Sequence, residues 1–387
     1  MYLLFARREI EAMKIAVVSQ VYKKGGGGAV STHLLVSALR DLGHEVEVVQ
    51  TPENISPDIV LHQNIKGLVK TQKICERRNI PLIATINSNI TCPTGAHVTN
   101  ETKYGVPCLN CSLLKCVSCH IWNKREKGYT KTKRVLSIFE SFAKYALRNL
   151  RIKTLNKVDK IVCVSPSLRE RLASAGVDKS KIEVIIQPVD KTFFNDPEVR
   201  HFEEKVALFA GAISWIKGAH LAAEAISKLN DIKLVYVGGA GDRMRKIIRS
   251  FLKERAIFVG RIPYERMPEY YYSAHVTLFP SIWFDPHGRV WTESCACGTP
   301  VVAFKGRGGA SDYLKHEETA LLSDYDVNEY AEQIKRLFED EALYRKIIRN
   351  AREYAKKNLL ADVVAKKYEK VFEEVAVSYT HLTLPTN

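Results

Sequence analysis

The 387-residue sequence lacks the features that most readily assign a chain to a class. It has no run of about 18 apolar residues, the length that a membrane-spanning helix needs. Residues 1–12 have neither the apolar stretch nor the cleavage site of a secretory signal. The glycine run at 25–28 is followed by no Lys-Ser or Lys-Thr and lacks G-x-G-x-x-G spacing, so it matches neither familiar phosphate-binding loop. These absences favour a cytoplasmic protein.

The two ends of the sequence do not follow the pattern of the rest. Met13 directly precedes the first predicted strand, so residues 1–12 are interpreted as a non-native extension from upstream translation. Residues 378–387 have no periodicity and resemble the read-through of a sequencing adapter, the alternative being an ordinary disordered tail. Neither end carries a functional prediction.

Predicted strands alternate with predicted helices in two successive runs. The first run opens with Lys14–Ser19, the second opens with Val206–Ala210, and prolines interrupt the pattern at Pro188–Pro197. Such alternation builds parallel sheets covered by helices on both faces, and a chain of this length fits two domains. The sequence therefore predicts an α/β fold of two doubly wound Rossmann-like domains facing a cleft. The predicted bounds are 13–190 and 191–360, with a helix at 361–377 returning to the first domain.

Positive charge exceeds negative charge, with 58 basic and 43 acidic residues and a formal net charge of +15. The excess concentrates between Lys124 and Lys160, where apolar residues are interleaved at helical spacing. A basic amphipathic helix can lie on an anionic membrane, for example the inner face of a cell membrane. The alternative is a surface helix that docks by its apolar side. Binding to nucleic acid would also explain the positive charge, but it would give the two Rossmann-like domains no role.

Five of the nine cysteines crowd into a predicted insertion at 88–123. They are Cys92, Cys108, Cys111, Cys116 and Cys119. Paired thiolates two residues apart suit a tetrahedral metal, so the pattern favours structural zinc. An iron–sulfur cluster, disulfides and free thiols remain alternatives. The other four cysteines lie in apolar patterns and are predicted to be small core residues. They are Cys75, Cys163, Cys295 and Cys297.

The most informative stretch runs from Phe284 to Ala303. It places Asp285 and Glu293 eight positions apart, with Gly288 between them and a predicted helix beginning near Arg289. Ionised acids accept strong hydrogen bonds from sugar hydroxyls, and a glycine lets backbone N–H groups approach a diphosphate. The start of a helix favours an anion. The combination predicts a site for a sugar nucleotide, the alternative being acids that merely complement a helix dipole.

Loops that follow other predicted strands add weaker signals. The first strand is followed by a glycine loop that ends at Gly28, and its backbone could approach a ligand. Lys217 follows the first strand of the second domain, where it could reach a phosphate. Arg261 follows a turn after a later strand.

From Met13 to about Glu374 the sequence resembles the retaining glycosyltransferases of the GT-B fold, family four. The resemblance rests on the paired-acid segment, on the segment 296–302 after it, on Lys217-Gly218 and on 308–312. It implies transfer of a sugar from a nucleoside diphosphate donor to the hydroxyl of a glycan or lipid-linked acceptor. The configuration would be retained without a catalytic metal, in the synthesis of a cell-surface polysaccharide or glycolipid.

The resemblance also implies individual roles. Asp285 would hold hydroxyls of the donor sugar, Glu293 the ribose and Lys217 the diphosphate. Backbone N–H groups near Gly288, Arg289 and Val290 would complete the phosphate site. Gly28 would lie beneath both donor and acceptor.

Several positions depart from the family pattern. Ala212 stands where the family has a phosphate-binding arginine, and Arg261 or Arg289 is the expected substitute. Asn87-Ser88-Asn89 replaces a His-Asp pair, Gln187-Pro188 replaces Asn-Gly, and Asp285 replaces Glu. These changes predict an altered donor preference. The competing readings are an inactive scaffold and another GT-B enzyme such as a sugar-nucleotide epimerase.

Overall fold

Strands and helices alternate through two parallel six-stranded sheets in the computed structural model. The structure describes residues 12–383 apart from 21, 23–26, 94, 96–97, 100–105, 109–110, 127–129, 197–200 and 203. The predicted α/β fold of two doubly wound domains is confirmed.

The first domain contains eight of the described strands and five of the described helices. The strands are β1 (Lys14–Val18), β2 (Glu45–Val49), β3 (Ile59–Gln63), β4 (Leu82–Ile86), β5 (Val98–Thr99), β6 (Val106–Pro107), β7 (Lys160–Cys163) and β8 (Ile182–Val184). The helices are α1 (Gly27–Asp41), α2 (Leu68–Arg78), α3 (Leu113–Glu126), α4 (Lys131–Leu155) and α5 (Pro166–Ser174). The main sheet has the order β2-β1-β3-β4-β7-β8, and β5 pairs with β6 in a separate antiparallel ribbon.

The second domain repeats the architecture. Its strands are β9 (Val206–Ala210), β10 (Lys233–Val237), β11 (Ala256–Gly260), β12 (Val276–Phe279), β13 (Val301–Phe304) and β14 (Leu321–Ser323). Its helices are α6 (Ala219–Ser227), α7 (Asp242–Leu252), α8 (Met267–Ser273), α9 (Arg289–Cys297), α10 (Gly309–Tyr313), α11 (Val327–Glu339) and α12 (Glu341–Asn358). The sheet order is β11-β10-β9-β12-β13-β14.

The central strands are apolar runs because helices cover both faces of each sheet. Every residue of β3, β4 and β9 is buried, whereas the edge strand β2 alternates between exposed and buried positions at its start. The three-residue strand β14 was not predicted from the sequence. It is too short to show a period of its own.

The final helix, α13 (Ala361–Thr383), packs against α1 of the first domain. His44 Nε2 lies 3.1 Å from Glu369 Oε1, and both side chains are buried. Helix α13 continues through Thr383, so the first residues of the segment interpreted as adapter read-through are helical. No helix in the described part of the chain is long and apolar enough to cross a membrane.

The predicted zinc site is not supported. Within the described ranges, no group of three His, Cys, Asp or Glu side chains is placed to hold a metal ion. Cys116 and Cys119 lie inside the regular helix α3, whereas a zinc knuckle is a turn. Residues 109–110, between Cys108 and Cys111, lie outside the described residues. The Sγ atoms of Cys111 and Cys116 are 2.7 Å apart, and Cys92 is buried.

The prediction of four core cysteines is confirmed. Cys75, Cys163, Cys295 and Cys297 are buried free thiols. Burial raises the pKa of Cys75, Cys163 and Cys295 to about 12, so these thiols stay protonated and act as small apolar side chains.

Candidate active site

A cavity of about 880 Å³ lies between the two domains. Loops at the carboxyl ends of β1, β3 and β4 form one wall, and loops after β9 and β12 form the other. The chain reverses its direction of winding between β1 and β3 and again between β9 and β12. Such switch points leave a crevice at the carboxyl edge of a parallel sheet, where ligands bind.

Asp285 and Lys217 form an ion pair on the second-domain wall. The Lys217 ammonium donates a hydrogen bond to Asp285 Oδ2, and Trp283 Nε1 donates to the same oxygen at 3.2 Å. The Lys217 Nζ atom also lies 4.6 Å from the centre of the Trp283 ring. Asp285 Oδ1 accepts no hydrogen bond from any residue that the structure describes. An ammonium has three donors and a carboxylate two acceptor oxygens, so both groups retain capacity for a ligand.

The short helix α9 begins at the cavity. Gly288 lies before its first residue with a φ of 77°. A Cβ atom there would stand 2.6 Å from Phe279 Cζ and 3.0 Å from Trp291 Cδ1, so the position requires glycine. Gly288, Arg289 and Val290 line the cavity. The first N–H groups of a helix lack partners within it, and the helix dipole adds positive potential at that end. An anion in the cavity is therefore stabilised there.

Arg289 is held by groups from both domains. Its Nε donates to Glu293 Oε1 at 3.0 Å, and its Nη1 donates to Ser31 Oγ at 2.8 Å. Its Nη2 donates to the hydroxyl of Tyr264. Burial alone would lower the pKa of Arg289, but the Glu293 carboxylate and Tyr264 raise it above its ordinary value. The guanidinium is thus a fixed cation at the back of the site.

The second acid, Glu293, is almost fully enclosed. Tyr271 donates its hydroxyl to Glu293 Oε2 at 2.9 Å, while Arg289 occupies Oε1. Glu293 is 5% exposed and is not among the residues that line the cavity. In this arrangement its direct effect is to orient Arg289.

Most of the residues predicted to bind the donor meet at the cavity. Those lining it are Gly28, Lys217, Asp285, Gly288, Arg289 and Val290. Arg261 does not line it; its guanidinium instead lies beside Gly239. Ala212 lines the cavity, so the position where the family has an arginine faces the site without a charge. Arg289, rather than Arg261, is the expected substitute that the structure places at the cavity.

His287 lies next to Asp285 in a fully buried position. Burial and the nearby Arg289 lower the pKa of His287 to about 3. Neither ring nitrogen has a hydrogen-bond partner among the described residues. The imidazole is therefore neutral at physiological pH and adds no positive charge to the cavity that it lines.

The first-domain wall is polar. Asn64 Nδ2 donates to Asn87 Oδ1 at 2.6 Å, and Ser88 donates its hydroxyl to Asn64 Oδ1 at 2.7 Å. Asn89 Nδ2 donates to the backbone oxygen of Phe284 at 2.5 Å and so bridges the two walls. Arg151, near the end of α4, lines the same wall.

Sequence reasoning missed Trp283, Tyr264, Tyr271 and the location of Arg151. Trp283 lies two residues before Asp285, so its closeness could have been inferred from chain proximity. Tyr264 begins a short 3-10 helix just before α8, and Tyr271 lies in α8. No local sequence pattern distinguishes these two tyrosines from core residues. Arg151 was one cation within a long basic run.

Two family models match the chain in succession. The model described as glycosyltransferase family 4 matches residues 53–193, and the model described as glycosyl transferases group 1 matches residues 190–354. Together they cover residues 53–354, which include the cavity lining apart from Gly27, Gly28 and Ala29. The chain belongs to the family-four-like glycosyltransferases of the GT-B fold.

Individual relatives agree with this assignment. Over 188 residues the chain is 32% identical to the Bacillus subtilis protein YtcC. The match covers 45% of this chain and 46% of YtcC, so the chain matches about half the length of that relative. It is 25% identical to an uncharacterized glycosyltransferase of Methanocaldococcus jannaschii over 94% of this chain and 99% of that protein. The crystal structure of Anabaena HepE in complex with UDP-glucose is 17% identical and aligns with a TM-score of 0.68, covering 94% of this chain and all of HepE. That likeness establishes the fold.

Proposed function

We propose that this protein transfers a sugar from a nucleoside diphosphate donor to an acceptor hydroxyl, with retention of the anomeric configuration. The observation that carries the proposal is the Lys217–Asp285 pair beside the start of α9. One carboxylate oxygen of Asp285 is engaged by Lys217 and Trp283, which leaves Oδ1 to accept a sugar hydroxyl. The UDP-glucose bound by HepE supports a UDP-sugar as the first donor to test.

The proposed chemistry depends on stabilising a leaving group. When the bond between the sugar and the diphosphate breaks, negative charge grows on the departing phosphate. Fixed charges and dipoles lower the barrier when they are aimed at the place where charge develops. Lys217 and the residues at the start of α9 line the same cavity, which supports this role for the ammonium and the N–H groups. The polar first-domain wall would hold the acceptor hydroxyl near the reacting carbon, which reduces the entropic part of the barrier.

The loss of the family arginine at Ala212 leaves the diphosphate with one cation fewer. Arg289 lines the cavity and has a raised pKa, so its guanidinium is always charged. It could therefore supply positive potential in place of the absent arginine. The guanidinium nitrogens already donate to Glu293, Ser31 and Tyr264. Arg289 would therefore attract the diphosphate through space rather than by a bidentate hydrogen bond. Weak donor binding is the expected consequence.

A thermal-shift and turnover experiment tests the proposal. The full chain is incubated with UDP-, GDP- and ADP-glucose, and a ligand at 100 times its Kd should add about 2.7 kcal/mol of stability. We expect one of the three nucleotide sugars to raise the melting temperature of the protein and to be consumed. Lys217→Met should abolish both effects. Lys305→Met is the matched control, because Lys305 also pairs with an acid of the second domain but does not line the cavity. Binding without turnover under any condition would favour an inactive scaffold.

We further propose that α4 holds the protein on an anionic membrane surface, close to a lipid-linked acceptor. Large apolar side chains are exposed along this helix at spacings of three and four residues. They are Val135, Leu136, Phe139, Phe142, Leu147 and Leu150. The exposed side chains of Lys131, Lys144 and Lys153 accompany them. An apolar face with basic neighbours complements an anionic lipid surface.

Vesicle sedimentation tests the membrane proposal. The full chain should bind vesicles containing phosphatidylglycerol and not vesicles of phosphatidylcholine alone. The double variant Phe139→Ser/Phe142→Ser should lower the affinity by about tenfold or more, since each buried Phe is worth roughly 1.5–3 kcal/mol. The control Phe251→Ser/Val377→Ser alters two exposed apolar residues elsewhere and should have no effect. Loss of a dimer, instead of loss of vesicle binding, would show that a second copy covers the helix.

A further inference from the structure

Three cationic side chains line the cavity, and they differ in their partners. Lys217 pairs with Asp285, and Arg289 pairs with Glu293. Arg151 makes no hydrogen bond or ion pair with any part of the chain that the structure describes. Two of the cations are thus neutralised by acids of their own wall, and one is not.

The position of Arg151 is fixed by the end of α4. One turn earlier, Arg148 Nε donates to the backbone oxygen of Thr91 at 2.8 Å, which ties the helix to the loop after β4. The next residue, Ile152, is buried against the first-domain core. Between these anchors, Arg151 lies partly buried on the cavity wall.

Leaving this guanidinium without a partner costs free energy. Partial burial lowers the pKa of Arg151, which reflects the loss of hydration of the charged form. Charged groups removed from water are ordinarily compensated by a partner. The neighbouring Asn64, Asn87 and Ser88 are neutral, so the described residues of this wall offer hydrogen bonds but no negative charge. A ligand that brings an anion to this wall would supply the missing partner.

We propose that Arg151 binds a phosphate group of the acceptor. The proposal rests on the proposed transferase function, in which the second-domain wall holds the donor and the first-domain wall holds the acceptor. A guanidinium presents a planar fork of donors that matches two phosphate oxygens. Arg151 therefore selects an acceptor that carries a phosphate next to the hydroxyl that receives the sugar.

The test separates the donor site from the proposed acceptor site. The full chain is first saturated with UDP, and inorganic phosphate is then titrated by calorimetry. Phosphate should bind the UDP-saturated wild type, and Arg151→Gln should weaken that binding by about tenfold or more. Arg151→Lys should weaken it less, because it keeps the charge but loses the fork. Lys153→Gln removes the same charge from an exposed position on α4 and should change neither binding.

Each other result has a defined meaning. Phosphate binding that is absent from the UDP-saturated wild type, or unchanged in Arg151→Gln, overturns the proposal. A loss of UDP affinity in Arg151→Gln also overturns it, since Arg151 would then serve the donor. Failure of the wild type to bind any nucleotide instead defeats the proposed transferase function, because that step precedes the phosphate titration.

Two further arms identify the source of the phosphate. Glycerol 3-phosphate represents a soluble acceptor, and vesicles containing phosphatidic acid represent a lipid headgroup. Arg151-dependent binding of glycerol 3-phosphate to the UDP-saturated protein assigns the soluble class. Arg151-dependent binding of the vesicles alone, with binding unaffected by Lys228→Gln at an exposed position of the second domain, assigns the lipid class. If neither probe depends on Arg151, the proposal fails.

Discussion

The two walls of the cavity use charge in opposite ways. On the second-domain wall, the cations Lys217 and Arg289 are each held by an acid a short distance away. On the first-domain wall, the polar side chains that accompany Arg151 among the described residues include the neutral amides of Asn64 and Asn87 and the hydroxyl of Ser88, and none is an acid. A wall whose charges are already oriented needs little reorganisation when charge develops on a leaving group. A wall with an unsatisfied cation is suited to selecting a charged ligand.

Polar contacts outside the cavity also connect the two domains. Asp312 of the second domain accepts a hydrogen bond from Ser167 N at 2.9 Å, and Asp312 Oδ1 accepts from the Ser167 hydroxyl. This places a carboxylate at the start of α5, where the helix dipole favours it. Tyr313 donates to the backbone oxygen of Val164 at 3.1 Å. The donor wall is therefore connected to the acceptor wall by polar contacts outside the reacting centre.

The largest expected effect comes from removing the charge on the donor wall. Asp285→Asn keeps the size of the side chain but weakens its bonds to Lys217 and to a sugar hydroxyl. We expect donor turnover to fall by roughly 100-fold, measured as kcat with the donor identified by thermal shift. Asp324→Asn is the control, since Asp324 is an exposed acid that pairs with Lys305 in the same domain. Equal turnover in the two variants would contradict the role of Asp285.

A smaller effect should follow from adding a side-chain atom at Gly288, just before α9. Gly288→Ala would place a Cβ atom against Phe279 and Trp291. Gly306 has a similar φ of 72°, with nothing within 4 Å of an added Cβ atom, so Gly306→Ala measures the backbone strain alone. We expect Gly288→Ala to lose about 1–3 kcal/mol more in the free energy of unfolding than Gly306→Ala. Equal losses in denaturant titrations would show that the contact is easily relieved.

At neutral pH the smallest effect comes from His287, and it grows as the pH falls. Its folded pKa of about 3 is below the ordinary value of 6.5, so below pH 6.5 the unfolded chain binds a proton that the native chain does not. Stability should therefore fall as the pH decreases from 6.5 towards 3, by ~1.4 kcal/mol per pH unit from this one histidine. His287→Phe should remove that slope in unfolding titrations.

The same substitution should raise stability by about 1 kcal/mol near neutral pH, because two unpaired buried nitrogens are replaced by carbon. His33→Phe, at an exposed position, serves as the control and should keep the wild-type slope. An unchanged slope in His287→Phe would mean that the imidazole titrates normally in the native protein.

The fold and much of the donor wall could be predicted from the sequence. Buried parallel strands such as β3 and β9 are short apolar runs between helices, and this pattern is visible locally. Asp285 and Lys217 follow strands of one sheet, whose carboxyl ends meet at one edge, so their proximity followed from the topology. The short strand β14 carried too few residues to show a pattern.

The acceptor wall and the insertion were harder to predict, because they depend on tertiary contacts. Arg151 was indistinguishable from its basic neighbours until the contact of Arg148 with Thr91 fixed the end of α4. The cysteine spacing suggested a metal knuckle, but Cys116 and Cys119 fall within a helix. The enclosure of Glu293 by Tyr271 and Arg289 likewise depends on packing between α8 and α9.

The central claim is that the cavity turns over a nucleotide sugar with retention of configuration. The most direct measurement is a proton NMR time course of donor hydrolysis by the full chain, in which water receives the sugar in place of the acceptor and the anomer of the first released sugar is recorded. The account predicts that an α-linked donor first yields the α product together with free nucleoside diphosphate. A first product of β configuration, or consumption that is unaffected by Lys217→Met, would contradict it.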